Sequence, residues 1–258
     1  MRETPGPWLL KPRTSASAIG IRTIETEEQI WPVLDELGDL QTHHVLERFV
    51  PGEVFHVEGV TWKGDLLFSQ PCKYGHPPMQ TMHQGGVFTT RTLPAESPDA
   101  VALVNIQRSV LAALGLHSGV THSEFIKAAS DGKFYFLETA ARVGGAYIAE
   151  VVEFATGVNP WVEWARLEVA AALGADYALP VTRQDHAGSV ICLARQEYPD
   201  LGGYTAPEIV QRLYKQHHVG MLLRSPSAGR IEELVGTYGE QFLEEFCAVL
   251  APPDKPTA

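Results

Sequence analysis

The chain's 258 residues are 45% apolar and carry 20 Lys and Arg against 31 Asp and Glu, a net charge of −11. That length supports one compact unit or two lobes around a sizeable core, and that charge argues against a nucleic-acid surface. No apolar run approaches the ~20 residues that span a bilayer, and the first residues lack the apolar core of a signal peptide, so no membrane is expected.

In chain order, PWLLKP predicts a short strand and TSASAIG a small-residue loop, while TEEQIWPVLDELGDL predicts a helix with Thr26 at its N-cap. HHVLERFV and EVFHVEGVTWKGDLLFSQ predict strands, the second turning back at Lys63, Gly64 and Asp65. Residues 71–98 are rich in Gly, Pro, Gln, Thr and His, lack a period, and predict a functional or mobile loop. Ser97 as cap, Pro98 in the first turn and Gly115 as the stop frame the clearest helix. HSEFIKAASDGKFYFLE predicts two strands about a Ser-Asp-Gly turn, and AYIAEVVEFATG a helix. Beyond residue 174, HAGSVICLAR predicts a strand, APEIVQRLYKQ and TYGEQFLEEFCAVL helices, and PPDKPTA a frayed tail. Cys72, Cys192 and Cys247 are far apart, which fits buried thiols in the reducing cytoplasm better than disulfides or a zinc site.

The chemistry concentrates around FLETAARVGG. A three-residue loop at Ser130, Asp131 and Gly132 sets Glu124 opposite Glu138, with Cβ atoms ~5 Å apart, where like charges are unfavourable unless a divalent cation neutralises them. A two-residue turn at Asp131 and Gly132 sets Glu138 against Phe125 instead, and two acids solvated at a strand edge is the plainer alternative. The apolar flanks favour burial and a metal. Arg142 offers a five-donor fork to a carboxylate or phosphoryl group. Gly144 and Gly145 let backbone N–H groups approach an anion before a helix.

Upstream, Lys11 ends a strand before a loop whose amides and Ser15 or Ser17 hydroxyls suit phosphate, although no Walker spacing is present. In LERFVPGE, Glu47 and the Arg48–Val50 backbone suit a planar base and Glu53 suits ribose hydroxyls. Each segment alone also fits an ordinary strand end, turn or exposed acid. His83 reads better as a solvent-facing loop histidine than as a substrate contact. His217 and His218, adjacent on a strand, would point to opposite faces rather than share a metal.

The ordered set LLKPRTSASAIG, VLERFVPGE, THSEF and FLETAARVGG resembles the ATP-grasp superfamily, in particular its carboxylate-amine ligases of the L-amino-acid ligase type, over residues 5–165. The resemblance implies an α+β fold of two lobes clamping ATP. The expected division is an incomplete first lobe at 1–55, a large lobe with the metal and phosphate site at 56–173, and a mixed α/β segment at 174–258. It implies ATP phosphate on Lys11, adenine at Glu47–Val50 and ribose on Glu53. Glu124 and Glu138 would hold magnesium, with manganese as the alternative, while Arg142, Gly144 and Gly145 would stabilise an acyl phosphate and the tetrahedral intermediate. The implied reaction joins a small carboxylate to an amine with release of ADP and phosphate. In the family an asparagine follows the second glutamate by two positions, where this chain has Ala140. The family also carries a preceding domain, so a fragment, a homo-oligomer or a partner that completes the first lobe is expected. A nucleotide-binding module without turnover is the second reading, and a carboxylase-like use of the acyl phosphate ranks last.

Overall fold

The computed structural model describes residues 5–14 and 18–249, apart from the side chains of 82–84. The first lobe comprises β1 (Trp8–Pro12), β2 (Arg22–Ile24), α1 (Glu27–Leu37), a 3-10 turn (Gly38–His43) and β3 (His44–Arg48). Its three strands pair antiparallel in the order β2-β1-β3. Apolar residues at one helical face of α1, Ile30, Val33, Leu34 and Leu37, close over Trp8, Leu10 and Ile24. Thr26 occupies the N-cap of α1 without a side-chain capping bond.

The second lobe is built on an eight-stranded antiparallel sheet of order β10-β11-β9-β6-β5-β4-β7-β8. Its strands are β4 (Gly52–Trp62), β5 (Asp65–Tyr74), β6 (Phe88–Thr92), β7 (Gly119–Ala128), β8 (Phe134–Ala140), β9 (His186–Leu193), β10 (Ile209–Lys215) and β11 (His218–Ser225). Its helices are α2 (Pro78–Gln84), α3 (Pro98–Ala113), α4 (Ile148–Thr156), α5 (Pro160–Leu173) and α6 (Ala228–Glu245). Alternation along the strands divides the core in two. On one face Val54, Val60 and Tyr74 pack with α4 and α5. On the other, Phe55, Val57 and Phe125 pack under α3, and Val190, Met221 and Leu223 under α6. Among the described residues no helix is long and apolar enough to cross a membrane.

This is the α+β, two-lobed arrangement expected. Ser97 caps α3, its hydroxyl accepting from Ala100 N at 3.2 Å. The strands after residue 174 do not form a layer of their own: β9, β10 and β11 extend the sheet begun by β4. Three local expectations are corrected. The loop expected over 71–98 contains the end of β5, α2 and β6. Strand β6 reads FTTRT, and its buried positions Thr89, Thr90 and Thr92 are polar, so no apolar period marks it. The helix expected in APEIVQRLYKQ is instead β10, paired with β11 around Gln216 and His217. His217 lies in that turn at φ 54°, so the two histidines do not share a strand.

Candidate active site

The hairpin of β7 and β8 sets Glu124 opposite Glu138, by a route the sequence did not indicate. Ala128 N donates to Lys133 O at 2.9 Å, closing a four-residue turn over 129–132 rather than a three-residue one. That turn pairs Ile126 with Tyr135 and Phe125 with Phe136, and a bulge then leaves Leu137 without a partner, so the register shifts and Glu138 meets Glu124.

Lys11 connects this hairpin to the first lobe. It is 8% exposed, and its Nζ lies 2.9 Å from Glu47 Oε2, 3.6 Å from Glu138 Oε2 and 3.4 Å from the carbonyl of Leu137, which the bulge leaves outside the ladder. One ammonium thus joins β3 to β8. Phe49 N is bonded to Pro7 O at 2.9 Å, whereas Val50 makes no backbone hydrogen bond with the described residues. Arg48 is exposed. Ser15 and Ser17 lie outside the described residues, as does the side chain of His83.

Glu53 is not brought to the glutamate pair. It lies three residues before His56, hence on the opposite face of β4, where Lys73 pairs with it. There it lines a cavity of roughly 500 Å³ between β5, β6 and α6, together with Arg91 and Glu232. Arg142 follows β8 by two residues and Nη1 donates to Val143 O at 2.9 Å. Gly144 is buried, and a Cβ there would sit 3.0 Å from His122 Nδ1 and 3.1 Å from Glu58 Oε2. Gly145 is open, and its carbonyl accepts from Ile148 N at 3.0 Å, at the start of α4.

Behind Glu124 is a buried polar cluster that sequence reasoning missed. His122 Nδ1 lies 2.6 Å from Glu58 Oε1 and its Nε2 lies 3.4 Å from Glu124 Oε1. His56 Nδ1 lies 2.9 Å from the same Glu58 oxygen, and its Nε2 2.7 Å from the Thr90 hydroxyl. Tyr74 donates to Glu124 Oε1 at 2.7 Å. Burial pulls the His122 pKa down, but the charge of Glu58 and hydrogen bonds to Glu124 and Glu58 raise it to about 10, so the ring is a cation. Burial likewise acts to raise Glu58, yet His122 and His56 hold it at about 2. His56 is pushed down by burial, against the pull of Glu58, and is neutral. Glu124 is held below the usual carboxylate range, because His122 and Tyr74 outweigh its burial. The available signal was the repeated His-x-Glu at 56–58 and 122–124, which puts both side chains of each pair on one face of a strand.

This geometry can hold a cation between two carboxylates beside a lysine. Solved structures share the fold around it. The chain superposes on an L-amino acid ligase from Bacillus licheniformis with a TM-score of 0.66 and 17% identity, over 97% of this chain and 66% of that one. The chain has the ATP-grasp fold. Two further ATP-grasp structures match similarly. One is an N5-carboxyaminoimidazole ribonucleotide synthetase from Thermus thermophilus, with a TM-score of 0.66 and 18% identity over 95% of this chain and 64% of that one. The other is the biotin carboxylase domain of a 2-oxoglutarate carboxylase from Hydrogenobacter thermophilus, in complex with magnesium-ADP, ADP and bicarbonate, with a TM-score of 0.62 and 15% identity over 96% and 59%. The chain therefore spans less than two thirds of the length of these ATP-grasp proteins. No family model and no curated protein matches the sequence.

Proposed function

We propose that this chain carries the nucleotide and metal site of an ATP-dependent carboxylate-amine ligase. The observation that carries the reading is Glu124 facing Glu138 in register, with Lys11 reaching Glu138 from the other lobe. The three structural relatives, a ligase, a synthetase and a carboxylase domain, support the same class of chemistry.

The donor set suits magnesium. The Tyr74 hydrogen bond and the His122 ion-pair contact to Glu124 both fall on Oε1, so Oε2 has no partner among the described residues, and Glu138 is half exposed, its one ion-pair partner among the described residues being Lys11. Ala140, opposite His122, offers no side-chain oxygen, so a magnesium held by Glu124 and Glu138 would draw its other ligands from phosphate oxygens and water. Bound there, the ion supplies charge neutralisation for the transferring phosphoryl group. The protein's own part is positioning. Lys11 takes the phosphates, Glu47 and the Arg48–Val50 backbone the base, and Arg142 with the Gly144–Gly145 turn the developing negative charge. A substrate carboxylate oxygen attacks the γ-phosphorus as the bond to the bridging oxygen breaks, giving an acyl phosphate and ADP. An amine nitrogen then attacks the acyl carbon, loses a proton and expels phosphate.

Ala140 favours a second reading, a module that binds nucleotide without turnover. Calorimetric titration of ATP with and without magnesium, on the wild type and a Glu124→Ala, Glu138→Ala double variant, tests the site. Release of ADP from mixtures of small acids and amines then separates ligase from module. A folded wild type that binds no ATP would overturn both.

A further inference from the structure

The two His-x-Glu segments are crossed by the pairing of β4 with β7: His56 stands opposite Glu124, and Glu58 opposite His122. Glu58 is 1% exposed and belongs to the interior of the sheet rather than to the surface a nucleotide would touch. A buried carboxylate is costly unless paired, and His122 Nδ1 lies 2.6 Å from this one. The three nearest groups, His56, Glu58 and His122, offer ligand atoms within 4.8 Å of one another, but both Nδ1 atoms contact Glu58 Oε1, so as donors to that carboxylate they have no lone pair for an ion, and Glu58 Oε2 alone is without a partner among the described residues. The cluster therefore acts through what it holds. The Tyr74 hydroxyl donates to Glu124 Oε1 at 2.7 Å and His122 Nε2 lies 3.4 Å from the same oxygen, and Oε2 is left without a partner among the described residues. A glutamate side chain with one oxygen held by a hydrogen bond and an ion-pair contact presents the other in a fixed direction.

We propose that His122, itself anchored by Glu58, is a positioning residue that fixes the Glu124 carboxylate so that Oε2 is presented to the metal of the nucleotide site. The inference rests on the ligase reading above. Hydrogen-bond partners of metal ligands commonly set metal affinity by about 10–100-fold.

The test is magnesium titration at fixed ATP, followed calorimetrically, for the wild type, His122→Asn, His122→Gln, Glu58→Gln and Tyr74→Phe, with thermal melting as the control for folding. An asparagine amide replaces Nδ1 and keeps the contact to Glu58, whereas a glutamine amide reaches the Nε2 position and keeps the contact to Glu124. His122→Asn is expected to raise the magnesium concentration for half-maximal ATP binding by about 10–100-fold, His122→Gln to restore most of that loss, and magnesium-free ATP binding to stay unchanged in every variant. A merely structural role would lower the melting temperature without moving the magnesium dependence. A folded His122→Asn protein with wild-type magnesium dependence overturns the positioning role and leaves the ligase reading standing. A wild type with no magnesium-dependent ATP binding overturns both. If His122→Asn does not fold, Glu58→Gln and Tyr74→Phe decide in its place: a weakened magnesium response in either supports the role, and unchanged responses in both overturn it.

Discussion

Lys11 in the first lobe lies 3.6 Å from Glu138 in the second, and it is the same ammonium that holds Glu47 at 2.9 Å. A single positive charge therefore faces one carboxylate of each lobe at the seam between them. Replacing it with methionine, of similar length, leaves both acids unneutralised at the proposed phosphate site. Lys11→Met is expected to weaken ATP by about tenfold or more, ~1.4 kcal/mol, as measured by calorimetric titration. Unchanged affinity would reduce Lys11 to a strut between lobes.

Arg142 offers a planar fork, and a point charge cannot reproduce it. Arg142→Lys is expected to leave ATP affinity nearly unchanged while ADP release in the presence of acid and amine falls about 10²–10³-fold, the range for losing one donor aimed at developing charge. Equal losses in binding and turnover would place Arg142 on the ground-state nucleotide instead.

Gly144 and Gly145 make an internal control. A methyl at Gly144 would come within 2.9 Å of Ile148 Cγ2 and 3.0 Å of His122 Nδ1, while at Gly145 it meets nothing. Gly144→Ala is expected to cost about 1–3 kcal/mol through overpacking, read as a lower denaturation midpoint, and Gly145→Ala to be neutral. Equal stability of the two variants would contradict the close packing at Gly144.

Glu58 ties stability to acid. Its carboxylate is held at about 2 against an ordinary 4.5. A lowered pKa gives stability that is present above the unfolded value and lost as pH falls through the folded one, a contribution of roughly 3 kcal/mol. The wild-type melting temperature is expected to drop between pH 4.5 and 2. Glu58→Gln, less stable at neutral pH, should fall more gently across that window. Parallel curves would remove Glu58 as the source.

Some of this was legible in the sequence because local chemistry and tertiary placement agree. Ser97 and Pro98 announce α3 by capping alone, and Glu124 faces Glu138 as expected, although a four-residue turn and a bulge produce the pairing in place of the expected three-residue loop. The segments that misled lack an apolar period of their own. Thr89, Thr90 and Thr92 in β6 make contacts that only the assembled sheet supplies, as when Thr90 bonds His56 across β5. IVQRLYK in β10 has no apolar period on its outer face and takes its form from pairing with β11. The His122 cluster was hidden for the same reason: its charges are balanced across β4 and β7, 64 residues apart in sequence.

The bulge at Leu137 and the turn at 129–132 behave together as a vernier. The turn alone would bring Leu137, not Glu138, opposite Glu124, and one extra residue in the strand corrects it while offering its carbonyl to Lys11. The interval between the two acids is therefore a sum of two adjustable lengths. Chains with shorter or longer intervals can present the same facing carboxylates, so a search for such sites by fixed spacing would pass over them, whereas one that scores the facing pair would not.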